Sequence, residues 1–363
     1  MRGLLGVLRQ RMIEPIVCVP ARNEAERLPS LLRSLQEQTW LRARKRPLRM
    51  VLVLNNCDDS SRAVVERVAR DLPRISLYLI EVRFSPEHAH VGSARRLAMN
   101  RAFSLAPRKS VLLSTDADAT PRRDWIEANL RAIASGADLV AGHIVGNKQE
   151  EASLGSRFVR RAARHSYYAK LVDRLASLVD PVTHDPWPRH SDHTGASLAV
   201  RSEVYAAVGG MPALPFREDI AFVANVCRAG YRLRHPLNVQ VTVSARLDGR
   251  AMGGMSDCLK SWLAAEESEL PHLVEDPEAI ILRLRHRQFH DLATRPIRLP
   301  AGEGVVQPPN GRAFERVIAV PKGADTSMEV ELAISQLERM VADNEGKVDV
   351  TGSSTMDFLQ GAD

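Results

Sequence analysis

The first patterned stretch of the chain is a run of apolar residues, Ile16-Val17-Cys18-Val19, closed by Pro20. A run so short and so uniformly apolar predicts a strand buried on both faces. Leu28, Leu31, Leu32 and Leu35 then recur at helical spacing, predicting an amphipathic helix that opens near Asn23 and Glu24. The alternation continues with a strand at 50–54 (MVLVL), a helix at 62–71 that Ser60 or Ser61 can cap, and a strand at 75–82. A helix over 93–104 follows Gly92, and a strand follows at 111–114 (VLLS). Pro121 is expected to begin the next helix, with Trp125, Ile126, Leu130 and Ile133 facing inward, and a fifth strand is expected at 138–142. Regular alternation of this kind marks an α/β fold with a mostly parallel central sheet flanked by helices. Open sheets of this class bind ligands beyond the C-terminal ends of their strands, and here polar residues follow those ends repeatedly.

The rhythm breaks at 150–192, where a helical stretch from Phe158 to Leu178 leads into the loop DPVTHDPWPRHSD. Beyond it come HTGASLAVRSEVYAAVGG, the acidic pair Glu218-Asp219 before a helix reaching about 229, and a strand-like alternation at 237–246. The pattern past 255 is helical and charged, 300–325 is rich in Pro and Gly, and 344–363 reads as disordered. No internal repeat is visible.

Composition narrows the function classes. With 44% hydrophobic and 26% charged residues the chain is ordinary globular protein. A net charge of +6 suits a pocket for anionic phosphates or a basic face beside an anionic membrane. It is too small and too scattered for nucleic acid, and aromatic residues, at 5%, show no alternation with basic ones. Cys18, Cys57, Cys227 and Cys258 form no CxxC pair and lack zinc-ligand spacing, so they read as buried or incidental thiols suited to a reducing cytoplasm. No apolar run reaches the ~20 residues that span a bilayer. The N-terminal MRGLLGVLRQRMIEP has no signal-peptide core; it reads as a frayed terminus or as a short amphipathic helix touching the inner face of a membrane.

Four constellations carry candidate chemistry. Asp116-Ala117-Asp118, a D-x-D at the end of an apolar strand, sets two carboxylates where they can share a divalent cation or divide metal and sugar between them. Mg²⁺ and Mn²⁺ prefer such oxygen ligands together with diphosphate oxygens. Glu218-Asp219 offers a base for an acceptor hydroxyl, or else only compensates the charge of a helix N-terminus. Pro20-Ala21-Arg22-Asn23-Glu24, with Asn55, Asn56 and Asp58, can line a nucleoside pocket or simply supply turn and cap chemistry. Gly92-Ser93-Ala94-Arg95-Arg96 lets a helix start close to a phosphate, or packs a helix with two solvated arginines. His184, His190 and His193 crowd one loop without a helical i, i+4 pair or other zinc pattern; His193, beside Thr194-Gly195, is the best placed to meet an acceptor.

Taken in order, VPARNEAERLPSLLRSL, VLNNCDDSS, GSARRLAMN, LLSTDADATPRRDWI, TGASLAVRSEVYAAVGG and FREDIAFVANVCRAGYRL resemble the family-2 glycosyltransferases over roughly residues 14–255. The resemblance implies a GT-A-type fold and an inverting, single-sugar transfer from a nucleotide-sugar, UDP-sugar favoured, to an acceptor hydroxyl on a small molecule, glycan or lipid-linked molecule. It assigns a divalent metal, Mn²⁺ or Mg²⁺, and the diphosphate to Asp116 and Asp118, and makes Asp219 the base with Glu218 beside it. It places Pro20, Arg22, Glu24, Asn56 and Asp58 around the nucleotide and matches Arg95 to a basic position after the glycine. It divides the chain into an N-terminal extension (1–13), the catalytic domain (14–255, with an acceptor-side insertion at 150–193), a helical C-terminal extension (256–343) and a disordered tail (344–363). The family's metal-binding histidine has no counterpart in VTVSARLDGRAMGGM, where Arg246 or Arg250 can meet the diphosphate by charge instead. The Q-x-x-R-W of processive synthases is absent as well. Two other readings stay open: a haloacid-dehalogenase-type phosphatase with Asp116 as nucleophile and Asp118 as acid/base, and a catalytically silent partner subunit. No GxGxxG follows the first strand, which argues against a dinucleotide enzyme.

Overall fold

The structure, a computed structural model, describes residues 13–42, 44–107, 109–250, 254–294 and 327–356. The expectations for the N-terminal extension before Ile13, for the Pro- and Gly-rich 300–325 and for the tail from 357 lie outside the described residues. The chain forms two compact units, one of residues 1–159 and 183–268, the other of 160–182 and 269–363.

The first unit is built on a seven-stranded sheet. Its strands are β1 (Glu14–Ala21), β2 (Leu48–Asn55), β3 (Ile75–Val82), β4 (Ser110–Ser114), β6 (Leu139–Ala141), β8 (Leu198–Arg201) and β9 (Leu233–Arg234), in the order β3-β2-β1-β4-β8-β6-β9. β8 runs antiparallel to both of its neighbours; every other pairing is parallel. β1 lies between β2 and β4, with Cys18 opposite Val51 on one side and Ser114 on the other. The strand order therefore reverses between β1 and β4, and the crevice that such a reversal opens is the ligand edge of an open α/β sheet.

Strand side chains alternate between two cores. Val17, Val19, Met50, Leu52 and Leu54 face one, where α1 (Leu28–Gln36) brings its four leucines and α5 (Trp125–Ala134) brings Trp125, Ile126, Leu130 and Ile133. Ile16, Cys18, Val51 and Val53 face the other, under α4 (Val91–Leu105) and α9 (Glu218–Arg228). α4 approaches the sheet on Ala94, Ala98 and Ala102, small residues that bring its backbone close. The remaining helices of this unit are α2 (Thr39–Arg42), α3 (Ser61–Ala69), α6 (Lys148–Ser153), α8 (Ser202–Ala207) and α10 (Met255–Glu267), with α7 (Ser156–Val179) starting here.

Pro121 does not begin α5. It lies in β5 (Thr120–Pro121), paired antiparallel with Val241 of β10 (Gln240–Val243), and the helix starts at Trp125. Proline is tolerated there because β5 is an edge strand. The alternation expected at 237–246 shortens to β10, which also pairs in parallel with β7 (His143–Gly146) to complete a three-stranded sheet.

The second unit takes the rest of α7, and the helix expected between Phe158 and Leu178 is therefore shared between the two units. Tyr168 and Leu175 join Val274, Ile280, Ile281 and Leu284 with Val330, Ala333, Ile334, Leu337 and Val341 in a separate core. The elements are β11 (Leu273–Glu275), β12 (Ser327–Glu329), α11 (Pro277–Thr294) and α12 (Val330–Met356). α12 runs past 344, where the sequence reads as disordered; no proline interrupts it. α10, expected in the C-terminal extension, belongs to the first unit. No helix among the described residues is long and apolar enough to cross a membrane.

Candidate active site

A cleft of about 480 Å³ opens at the C-terminal edge of the sheet, entirely within the first unit. β1 delivers Pro20, Arg22 and Glu24 to it, β4 delivers Asp116 and Asp118, and the start of α9 delivers Glu218 and Asp219. Thr194 and Gly195, just before β8, and Arg246 and Arg250, beyond β10, close the wall.

Arg95 organises the floor. It is 3% exposed and donates from Nε to Glu218 Oε1 at 2.9 Å and from Nη2 to Asp116 Oδ1 at 2.9 Å. Its Nη1 donates to Ser114 Oγ at 2.8 Å and to the Gly195 carbonyl at 2.9 Å. Burial acts against its charge, but Asp116 and Glu218 outweigh burial and hold it firmly protonated. With its donors used inside the protein, Arg95 is a positioning residue that links the two acidic clusters rather than the phosphate ligand expected from its place after Gly92. Two glycines make this possible. A Cβ on Gly195 would lie 2.3 Å from Arg95 Nη2, and one on Gly92 would lie 2.0 Å from the Leu214 carbonyl oxygen.

Asp219 is half-buried in the first turn of α9, two residues after the N-cap Arg217 at φ 55°. Its Oδ2 accepts from the Gly195 N–H at 2.6 Å and its Oδ1 from the Ile220 N–H at 2.8 Å. Glu218, by contrast, is 4% exposed and committed to Arg95. Of the two, Asp219 has the accessible oxygens.

Across the cleft, Asp118 has its pKa raised to about 6, first by burial and then by the charge of Asp116, with Glu24 adding to it and Arg246 opposing. Arg246 Nη2 stands 3.2 Å from Asp118 Oδ2 and also grips both oxygens of Glu24. Its loop is tied down by Glu150, which accepts from Ser244 Oγ at 2.9 Å and from the Ala245 N–H at 2.8 Å. Arg95 holds Asp116 and Arg246 is shared between Glu24 and Asp118, so Asp118 is the carboxylate whose charge is least compensated. Mg²⁺ and Mn²⁺ use one or two carboxylates and complete their shell with phosphate oxygens and water, so Asp116 and Asp118 fit a cation brought in with a diphosphate.

Three expected positions lie off the cleft lining. Asn56, at φ 48°, closes its amide on the backbone of Phe84, donating from Nδ2 and accepting at Oδ1, both at 2.9 Å. Asp58 is exposed and pairs with Arg83 at 3.2 Å. His193 donates locally, from Nδ1 to the Ser191 carbonyl at 3.0 Å. The neighbour of Asn56 does line the cleft: Asn55, 2% exposed, has a buried Oδ1 without a hydrogen-bond partner among the described residues, as does Thr194 at Oγ1. Asn55 is the last residue of β2, whereas Asn56 turns off the strand at φ 48° and so points elsewhere.

Residues 16–182 match the family model described as glycosyl transferase family 2. No curated protein sequence matches. Among solved structures, the chain is similar to the mannosyltransferase PcManGT from Pyrobaculum calidifontis in complex with GDP-Man and Mn²⁺, at 19% identity and TM-score 0.43, covering 79% of this chain and 76% of that one. It is also similar to TarS 1–349 of S. aureus in complex with UDP, at 14% and 0.43, covering 79% and 76%. A third is glucosyl-3-phosphoglycerate synthase from Mycobacterium tuberculosis with Mn²⁺, UDP-Glc and phosphoglyceric acid, at 16% and 0.40, covering 75% and 85%.

Proposed function

We propose that this chain, whose residues 16–182 match the family-2 glycosyltransferase model, moves one sugar from a nucleotide-sugar, a UDP-sugar by preference, to an acceptor hydroxyl with inversion at the anomeric carbon. The observation that carries the reading is the placing of Asp116/Asp118 and Asp219 on one cleft, whose two sides buried Arg95 links by binding Asp116 and Glu218, the neighbour of Asp219.

Asp219 takes the proton of the acceptor hydroxyl as that oxygen bonds to the anomeric carbon and the bond from this carbon to the diphosphate breaks. The Gly195 and Ile220 N–H groups hold its carboxylate in one orientation, which lowers the cost of alignment. Asp116 and Asp118 would hold Mn²⁺ or Mg²⁺, which when bound offsets charge on the leaving diphosphate. Arg246 adds fixed positive charge to the same side, and Arg22, Asn55 and Thr194 are available to the nucleotide and the sugar. The acceptor is a small molecule, a glycan or a lipid-linked molecule, and the chain works in the cytoplasm, with peripheral contact at the inner face of the membrane. The phosphatase reading loses ground because Asp116 Oδ1, its nucleophile, is held by Arg95.

A donor-hydrolysis screen across UDP-, GDP- and dTDP-sugars with and without Mn²⁺ tests the reading. UDP-sugar breakdown that needs Mn²⁺ is expected, and the product's anomeric configuration, read by NMR, should be inverted. Absence of turnover with every nucleotide-sugar, or retained configuration, would overturn it.

A further inference from the structure

Met211 is buried before β-to-helix chain turns into α9, and Glu218, the first residue of that helix, is buried again. Between them runs Pro212-Ala213-Leu214-Pro215-Phe216, an unbroken apolar stretch of which no residue is buried. Leu214 and Phe216 are 41% and 43% exposed, and Ile220, in the first turn of α9, is 42% exposed. A soluble protein that leaves such a run uncovered usually has something to meet there. The backbone of the run is pinned at both ends. The Leu214 carbonyl packs on the start of α4, so closely that a Cβ on Gly92 would lie 2.0 Å from its oxygen. At the other end Arg95 holds Glu218. The apolar side chains are therefore held outward by fixed backbone.

Phe216 and Ile220 line the cleft, as does Met255 at the start of α10, itself 43% exposed. The Ile220 N–H is one of the two that hold the Asp219 carboxylate, so a hydroxyl that reaches Asp219 arrives beside Ile220. The charged side chain of 212–217 is Arg217, whose guanidinium lies over the Phe216 ring, 4.8 Å from its centroid. No carboxylate interrupts the run, and Glu218 and Asp219, which follow it, are turned to Arg95 and to the Gly195 N–H. Asp116, Asp118, Glu24 and Arg246 give the other wall the opposite character, charged and suited to a diphosphate. A free sugar on the apolar side would set hydroxyls against Ile220 and Met255, side chains that offer neither donor nor acceptor and would cost it water contacts without return. A hydrocarbon chain would lose nothing there and would cover the exposed side chains.

We propose that Phe216, Ile220 and Met255 form an apolar subsite for the acceptor, which is thereby an amphiphile: its hydroxyl-bearing head lies at Asp219, its hydrocarbon chain lies over these three side chains, and Arg217 stands at the edge. The inference rests on the glycosyltransferase reading for the word acceptor, and it narrows the acceptor to the lipid-linked class. A bilayer surface is the other apolar body that an exposed loop meets. The amphiphile is favoured because Phe216 and Ile220 line the same cleft as Asp219 and are not confined to its outer rim.

The test titrates the full-length chain, with UDP and Mn²⁺ present, against alkyl β-D-maltosides from hexyl to decyl, each kept below its micelle concentration. Each methylene that leaves water should tighten binding about three- to fourfold in calorimetry. Joint replacement by Phe216→Ser and Ile220→Ser should flatten that ladder, whereas Leu237→Ser, at a comparably exposed leucine that does not line the cleft, should keep it. A ladder that is flat in the wild type, survives the double replacement or is lost in Leu237→Ser would overturn the subsite. Should the double variant fail to fold, a decyl maltoside with a diazirine at its chain end decides on the wild-type chain: crosslinks to 212–220 or to Met255 support the subsite, and crosslinks elsewhere overturn it. Sedimentation with phosphatidylcholine–phosphatidylglycerol vesicles that depends on Phe216, without a maltoside ladder, would make the segment a membrane contact instead. Calorimetry with UDP and Mn²⁺ alone separates this inference from the reading beneath it. A ladder without UDP binding would overturn the glycosyltransferase reading and leave an amphiphile site, whereas UDP binding with a flat ladder would overturn the subsite alone.

Discussion

The two acidic walls of the cleft meet their charge in opposite ways. On the α9 wall, Glu218 is neutralised by Arg95, and each oxygen of Asp219 accepts a backbone N–H. On the β4 wall, Asp118 sits among Asp116 and Glu24, and Arg246 does not fully compensate, so its pKa is raised to about 6. Arg95 serves Asp116 as well as Glu218, so the shortfall of positive charge on the second wall falls on Asp118. Preorganisation would serve Asp219 in the proposed role of base, and uncompensated charge at Asp118 would serve the proposed cation.

Several substitutions would break or sharpen that contrast. The largest effect is expected for Asp219→Asn, which keeps an acceptor for the Gly195 N–H but removes the basic charge. Turnover should fall roughly 10²–10⁴-fold with UDP affinity unchanged in calorimetry. Near-normal turnover would make the α9 wall purely structural.

Next comes Arg95→Met, which leaves Glu218 buried without its partner. Removing one member of a buried ion pair costs about 3–5 kcal/mol, to be read from urea denaturation of the full chain. A loss under about 1 kcal/mol would show that the two walls are not linked through this side chain.

Asp118 gives a pH test with a defined sign. Its folded pKa of about 6 lies above the ordinary 3.8, so between those values the folded state binds more protons than the unfolded one. Stability therefore falls as pH rises through that window, by up to about 3 kcal/mol, and Asp118→Asn should flatten the slope. The same proton competes with metal: Mn²⁺-supported UDP binding should weaken toward tenfold per pH unit below about 6 and be flat above it. A pH-independent affinity would remove Asp118 from the metal site.

The smallest effect is expected for Asp58→Ala. The carboxylate is exposed and its pairing with exposed Arg83 contributes under about 1 kcal/mol. UDP affinity should stay within about twofold, and a large loss would return Asp58 to the nucleotide site.

Much of this arrangement was legible in the sequence because buried parallel strands leave a strong mark. IVCV, MVLVL and VLLS became β1, β2 and β4, and the carboxylates that follow β1 and β4 reached the cleft, whereas Asp58 after β2 did not. What sequence patterns left out depends on contacts distant in the chain. The role of Arg95 needs Glu218, 123 residues away, and nothing local distinguishes it from Arg96. The two short strands β5 and β7 are defined only by β10, which neither precedes nor follows them directly.

The passage of α7 from one compact unit into the other has a practical corollary. Because the second unit is assembled from 160–182 and 269–363, no single cut in the chain releases it whole. A truncation ending at 268 would keep Tyr168 and Leu175 while discarding Ile280, Leu284, Ile334 and Leu337, the side chains that cover them. Such a fragment would carry an uncovered apolar stripe and would be prone to self-association. Anyone transplanting the first unit has to excise the middle of the chain as well as its end, and to rejoin 159 with 183 by a polar linker.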